Sequence, residues 1–188
     1  MGSEMCIRDR LRRDVELNDV RIAGSTMAST MDACLKAYLK DKGLSDVEVI
    51  YFDNPKSMVE ALDKGVVQML SIWEPYSSLL EMKGHKRIAR FTDYLGDFPC
   101  CVLAVNPMDE GSFNSIVEAL KDVLSRRNYT SEISKLSSLL GVDLRLLRKS
   151  LKEYVFHSEF TIKEVKDYLK SVGLEMTSSW ALRSLRVS

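Results

Sequence analysis

The stretch VVQMLSIWEPYSSLL (residues 66–80) decides the fold class of this chain. Its first eight residues are nearly apolar on both faces, as in a strand at the centre of a parallel sheet. A Trp, a Glu and a Pro then end the run, and the amphipathic spacing predicts a short helix over 75–82. Pro75 fits the first turn of that helix and favours an extended conformation at Glu74. The pattern therefore predicts a buried strand that leads directly into a helix.

Strands and helices alternate on both sides of this stretch. The predicted strands are VRIA (20–23), VEVIYF (47–52), VVQMLSIW (66–73), KRIARF (86–91) and CCVLAV (100–105). Between them, helices are predicted over 27–42 and from Pro55 to Gly65, with Asn54 as the cap of the second. This alternation is typical of βαβ units, and we expect an α/β fold with a mostly parallel sheet of about five strands.

The alternation of strands and helices ends after Pro107. Four helical segments without strands are predicted at about 112–126, 131–140, 143–156 and 160–172. Asp143 and Thr161 are expected as helix caps, and Gly141 and Gly173 as stops. We therefore expect an α/β lobe over 18–107, a helical C-terminal segment over 108–176, and a tail without periodicity over 177–188.

Composition excludes several classes of function. Lys plus Arg equal Asp plus Glu at 27 each, so no basic excess indicates nucleic acid. The longest apolar runs fall far short of the ~20 residues of a membrane span, so none is predicted in this chain. The four cysteines show no zinc-like spacing, and Cys34 lies on a predicted apolar helix face. We expect His85 and His157 to be surface or packing residues, and we expect no metal or cofactor.

Residues 1–10, MGSEMCIRDR, have neither helical nor strand periodicity. Read back into codons, GTG-GGC-TCG-GAG-ATG-TGT-ATA-AGA-GAC-AGx, they look like the adapter and transposon end used in sequencing-library preparation. A GTG start codon would account for Met1. We therefore interpret residues 1–10 as a cloning or assembly scar, and leave them out of the fold prediction.

Two turns have side chains suited to binding. Gly24 permits a tight turn in Gly24-Ser25-Thr26, and a helix expected to begin near Thr26 or Met27 presents free N–H groups. Two hydroxyls beside those groups form a cradle for a carboxylate, sulfonate or phosphate. Ser and Thr are also the favoured helix caps, so a purely structural role is as well supported by the local sequence.

The second turn is Trp73-Glu74-Pro75-Tyr76. Glu74 follows the predicted central strand beside a Trp that can stack on a planar or cationic group. A Glu at a helix start also complements the helix dipole, and Trp73 also suits a core position. Because ligands bind beyond the carboxyl ends of parallel strands, we expect the two turns to form one site for a small polar metabolite. The candidate ligand-binding residues are Gly24, Ser25, Thr26, Trp73, Glu74 and Tyr76, and no catalytic constellation accompanies them.

The segment RIAGSTMAST…LKDKGLSDVEVIYFDNPKSMVEALDKGVVQMLSIWEPY resembles the second lobe of a group of ABC-transporter solute-binding proteins. These are the nitrate/sulfonate/taurine and thiamine-precursor binding proteins. The resemblance covers 18–107, and the helical segment is similar to their C-terminal helices. It implies a type II periplasmic-binding-protein fold, an ABC permease as partner and a periplasmic or cell-surface location. In that fold Ser25 and Thr26 would face the anionic group of the ligand, with Trp73 and Glu74 on the opposite wall.

The chain departs from that group in two respects. Gln68 stands where an Asp is usual, and no first lobe precedes residue 18. We expect either a truncated fragment or a short relative of the solute-binding lipoproteins. Two further hypotheses use the same architecture: an enzyme of pyrimidine-precursor or menaquinone synthesis, and the effector domain of a LysR-type regulator.

Overall fold

In a computed structural model of the protein, the described residues are 2–4, 8–91, 101–102, 110–125, 130–153, 155–157 and 161–171. The strands are β1 Gly2–Glu4, β2 Arg8–Leu11, β3 Ile22–Ser25, β4 Glu48–Tyr51, β5 Met69–Ile72, β6 Lys86–Arg90, β7 Cys101–Val102 and β8 Val155–His157. The helices are α1 Thr30–Asp41, α2 Pro55–Lys64, α3 Tyr76–Met82, α4 Glu110–Ser125, α5 Thr130–Leu140, α6 Leu144–Leu151 and α7 Ile162–Ser171. A short 3₁₀ helix, Leu17–Asp19, precedes β3.

The main sheet has five strands in the order β4-β3-β5-β2-β6. Strand β3 pairs in parallel with β4 and β5, whereas β2 is antiparallel to both of its neighbours. Buried residues of α1 pack with Ala23 and Met69 on one face of the sheet. Those of α2 and α3 pack with Leu70 and Ile72 on the other. The predicted α/β class, with a five-stranded sheet flanked by helices, is confirmed, but the sheet is mixed, with two parallel and two antiparallel strand pairings.

Local sequence signals fix the ends of α2. Asn54 accepts the N–H of Ser57 through its side chain at 2.9 Å, and Pro55 occupies the first helical position. Gly65 ends the helix in the left-handed region, at φ 75°. The cap, the first helical residue and the end of α2 are therefore the ones that the sequence predicts.

Helix α1 begins later than predicted. The sequence places its start near residue 27, but Ser29 caps a helix that starts at Thr30 by accepting the N–H of Asp32 at 3.2 Å. Ala28, immediately before the cap, has a positive φ of 54°, which separates the end of β3 from the helix.

The described part of residues 1–10, which the fold prediction leaves out, forms strands of both sheets. β2 lies between β5 and β6, and β1 pairs with β7 and β8. Sequence periodicity misses β2 because two charged residues in it, Asp9 and Arg10, are fully buried. Arg10 donates to Ser77 Oγ and, at 2.9 Å, to Glu81. The adapter-derived origin of these residues stays a prediction.

Glu81 joins β2 to the C-terminal helices. Lys149 of α6 approaches one of its oxygens at 3.0 Å while Arg10 approaches the other. Burial acts to raise the pKa of Glu81, but hydrogen bonds from these two cations lower it to about 2. The carboxylate is therefore charged at neutral pH and helps to hold α6 against α3.

Two predictions about the later part of the chain are corrected. The sequence assigns CCVLAV to the main sheet, but β7 belongs to a separate three-stranded sheet, β7-β1-β8. The helix predicted over 143–156 ends at Leu151, and β8 occupies 155–157. β8 is missed because its ladder partner is β1, more than 150 residues away. Gly173 and the tail over 177–188 lie outside the described residues.

The predicted stops and caps within the described helices are confirmed. Asp143 accepts the N–H of Arg145 at 2.6 Å, and Thr161 accepts that of Glu164 at 3.2 Å. Gly141 has a φ of 61° after α5. Cys34 is fully buried, as its position on the apolar face predicts.

Asp9 provides a test of whether β2 occupies the sheet in solution. Burial raises its pKa well above the usual range, although nearby Ser71 acts to lower it, and no hydrogen bond of normal geometry reaches either carboxyl oxygen. The native state therefore keeps a proton that the unfolded chain releases above about pH 4. We expect the free energy of unfolding to fall with rising pH, by up to about 1.4 kcal/mol per pH unit from this group.

In urea titrations from pH 4 to pH 7, Asp9→Asn should flatten this pH dependence and be more stable than the parent at pH 7. Asp14→Asn is the matched control because Asp14 is exposed, with its side chain 55% accessible beside Arg12. The same pH dependence in Asp9→Asn as in the parent would contradict the buried position of β2.

Candidate ligand-binding site

The two turns singled out in the sequence lie on one edge of the main sheet. β3 ends at Ser25 and β5 ends at Ile72, and these strands run in parallel with Gly24 opposite Leu70. Thr26 and Trp73 therefore follow neighbouring strands at their carboxyl ends. This is the edge at which open α/β sheets bind ligands.

A row of polar residues crosses the sheet just inside this edge. Ser25 is the register partner of Tyr51, and Asp9 is that of Ser71. Ser25 and Ser71 each stand one residue beyond the Gly24–Leu70 pair. The row therefore runs Tyr51, Ser25, Ser71, Asp9 over four adjacent strands. Since Ser71 Oγ donates to the carbonyl of Met31 at 3.3 Å, the row lies beneath the first turn of α1.

Ser25 is the residue of this row with the clearest capacity to bind. It is fully buried, and its Oγ has no hydrogen-bond partner among the described residues. Most buried side-chain hydroxyls in proteins are satisfied, so an exception of this kind calls for a partner. Its neighbour Thr26 is half-buried, and its Oγ1 contacts Met58 Sδ at 3.8 Å.

Gly24 has a different role from the one that the sequence suggests. It lies within β3, and the positive φ expected of a tight turn is found at Ala28 instead. A Cβ at position 24 would stand 2.5 Å from Leu70 Cδ2 and 3.0 Å from Phe52 Cε2. Gly24 therefore serves close packing against Leu70, and it fixes the strand that carries Ser25.

The first turn of α1 supplies the other half of a cradle. Ser29 donates its hydroxyl to the carbonyl of Thr26 at 2.7 Å while accepting the N–H of Asp32. This ties the connecting loop to the helix start. The preceding N–H groups, of Thr30 and Met31, have no intrahelical acceptor because they belong to the first turn. Together with the helix dipole they favour an anion.

A cluster that sequence reasoning missed borders this turn. Asp32 is buried, with Oδ1 accepting from the hydroxyl of Tyr51 at 3.1 Å and Oδ2 from Lys36 Nζ at 2.9 Å. The Lys36 ammonium also stands 5.6 Å from the centre of the Tyr51 ring. Hydrogen bonding to Tyr51 and then to Asp32 raises the pKa of Lys36. The spacing of Asp32 and Lys36, four residues apart on a helix, was the available signal.

Glu74 is buried at the start of α3. The residue is only 1% exposed, and its Oε2 accepts a hydrogen bond from the N–H of Ser78 at 3.0 Å. This geometry supports the structural alternative, in which Glu74 satisfies the first turn of the helix. Trp73 is half-buried, contacts both core clusters, and meets Tyr76 edge to face with ring centroids 6.2 Å apart.

The sequence predicts surface or packing roles for the two histidines. His85 is buried, and its Nε2 stands 2.9 Å from Asp63 Oδ1, just before β6. His85 thus has the packing role predicted for it, whereas the side chain of His157 lies outside what the structure describes. Among the described residues, no group of three or more His, Cys, Asp or Glu is placed to hold a metal ion. None of the described helices combines the length and apolar character needed to cross a membrane.

No protein-family model matches the chain, and a search of curated proteins finds no match. Solved structures do match. The periplasmic aliphatic sulphonate binding protein SsuA from Escherichia coli is similar with a TM-score of 0.75 at 16% identity, over 91% of this chain and 61% of that one. The chain thus spans about three fifths of that protein.

Two further solved structures are also similar to this chain. The alkanesulfonate-binding protein SsuA from Xanthomonas axonopodis pv. citri, bound to MOPS, has a TM-score of 0.65 at 16% identity, over 92% of this chain and 66% of that one. An ABC transporter protein from Parabacteroides distasonis has a TM-score of 0.66 at 15% identity, over 92% and 68%. The chain therefore has the fold that these three proteins share.

Proposed function

We propose that this chain is part of the substrate-binding component of an ABC importer for a small nitrogen- or sulfur-containing organic solute. The solute class is a sulfonate, a taurine-like compound or a thiamine-pyrimidine precursor. The observation that carries the proposal is Ser25, whose buried hydroxyl has no partner beneath the first turn of α1. The fold shared with two sulfonate-binding proteins supports it.

The chemistry of the cradle suits a sulfonate. The start of α1 supplies a partial positive charge and first-turn N–H groups, while Ser25 offers a hydroxyl donor. A sulfonate has one negative charge and three acceptor oxygens, so one oxygen can satisfy Ser25 while another meets the N–H groups. Hydrogen bonds to charged groups are among the stronger ones, which suits capture of a dilute solute.

The partners and the location follow from the same proposal. A solute-binding protein delivers its ligand to an ABC permease, and we place this chain in the periplasm or at the cell surface. The similar protein from Escherichia coli is described as periplasmic, and that from Parabacteroides distasonis as an ABC transporter. The enzyme, the regulator and the short lipoprotein relative stay alternative hypotheses, since no specific observation favours any of them.

Replacing Ser25 tests the cradle directly. Ser25→Ala removes a hydrogen bond to a charged ligand, which is worth about 1.5–3 kcal/mol, so we expect affinity for ethanesulfonate or taurine to fall by about 10- to 150-fold. Stability without ligand should not fall, because the variant removes a buried hydroxyl that has no partner. Calorimetric titration measures the affinity, and Ser45→Ala, at an exposed position, is the control. Equal affinities in the parent and Ser25→Ala would overturn the cradle.

Glu74 tests whether the second turn contacts the ligand. If its carboxylate serves mainly α3, Glu74→Ala should lower the free energy of unfolding by about 1–3 kcal/mol, since Ser78 loses its buried acceptor. Glu74→Gln keeps an acceptor oxygen and should lose less. Chemical denaturation gives the stabilities, and titration with taurine gives the affinities. Unchanged stability together with a sharp loss of taurine binding would instead assign Glu74 to the wall of the site.

A further inference from the structure

Asp32 places a negative charge in the same helical turn that forms the cradle. Its N–H is held by Ser29, which also bonds the carbonyl of Thr26, so the residue is fixed relative to the loop after β3. The residue is 7% exposed. A buried carboxylate of this kind competes with any incoming anion for the positive potential at the start of α1.

The partners of Asp32 neutralise this charge only in part. Tyr51 donates a hydroxyl hydrogen bond at 3.1 Å but brings no positive charge to the carboxylate. Within the described part of the chain, Lys36 is the one cation hydrogen-bonded to Asp32, and its side chain is 56% exposed, so water and salt screen it. An anion bound beside Ser25 therefore meets residual repulsion from Asp32.

The charge of the ligand decides how much this repulsion matters. Coulomb energy is proportional to the product of the charges, so a dianion meets twice the repulsion that a monoanion meets at the same place. The hydroxyl of Ser25 and the first-turn N–H groups attract both kinds of ligand. Their attraction also grows with the ligand charge, so Asp32 acts by lowering the net positive potential from which a dianion gains twice as much as a monoanion.

We propose that Asp32, held by Tyr51 and Lys36, makes the cradle selective for singly charged anions such as sulfonates over dianions such as sulfate. The inference rests on the proposed function, because it assigns a specificity to the same site. A structural role alone, anchoring α1 to β4 through Tyr51, would not give this charge dependence.

The experiment compares the affinities of ethanesulfonate and sulfate by calorimetric titration at pH 7 and constant ionic strength. The two ligands share the sulfur–oxygen group but differ by one charge. In Asp32→Asn we expect the affinity for sulfate to rise at least about tenfold relative to that for ethanesulfonate, because the repulsive charge is gone. Lys36→Met removes the compensating cation, so the ratio should move in the opposite direction.

A control variant tests whether the effect belongs to the charge of Asp32. Asp41→Asn removes a carboxylate from the far end of α1 and should leave the ratio unchanged. Thermal denaturation of each variant confirms that it is folded, and Lys36→Met keeps the inference testable if Asp32→Asn does not fold.

The outcomes distinguish the two proposals. If the parent binds ethanesulfonate but Asp32→Asn and Lys36→Met keep its selectivity ratio, the assignment to Asp32 is wrong while the cradle stands. If the parent binds neither anion at millimolar concentration, the anion cradle itself is wrong and the selectivity inference is wrong with it. Opposite shifts in Asp32→Asn and Lys36→Met would support the inference.

Discussion

The parallel register of β3 with β4 and β5 is the constraint on which the candidate site depends. It puts Ser25 beside Tyr51, and it aligns Gly24 with Leu70. Because side chains alternate between the faces of a strand, a slip of one residue would turn Ser25 away from α1. Gly24 suits this register, since a Cβ at its position would stand 2.5 Å from Leu70 Cδ2 and the Leu70 side chain would have to shift. A packing requirement in the strand thus fixes the position of a binding group.

Sequence reasoning succeeded where the cause of a structure is local. Asn54, Pro55 and Gly65 bound α2 through contacts within a few residues, and such contacts are visible as spacing. The same holds for Asp143 at the start of α6. The run before Trp73 also predicted a central strand correctly, because burial on both faces demands continuous apolar character.

Sequence reasoning failed where the cause lies far along the chain. β2 contains buried charges, and such a strand is stable only through partners such as Ser77, which is 67 residues from Arg10. Tyr51 was missed because its bond to Asp32 spans 19 residues and two different elements. In both cases the sequence suggests an exposed polar side chain, because the partner that stabilises it in the buried position is distant along the chain. Sequence periodicity indicates which apolar residues are buried, whereas the candidate site consists mostly of buried polar residues.

The two buried carboxylates at the carboxyl edge explain why the candidate cradle belongs to α1 and not to α3. Glu74 accepts a hydrogen bond from a backbone N–H of α3, so its carboxyl group already occupies the start of that helix. Both carboxylate oxygens of Asp32 accept instead from side chains, one from Tyr51 and one from Lys36. The start of α1 thus keeps donors for a ligand, while the charge of Asp32 limits which ligand fits. A site of this kind gains its selectivity from the incomplete neutralisation of one buried group.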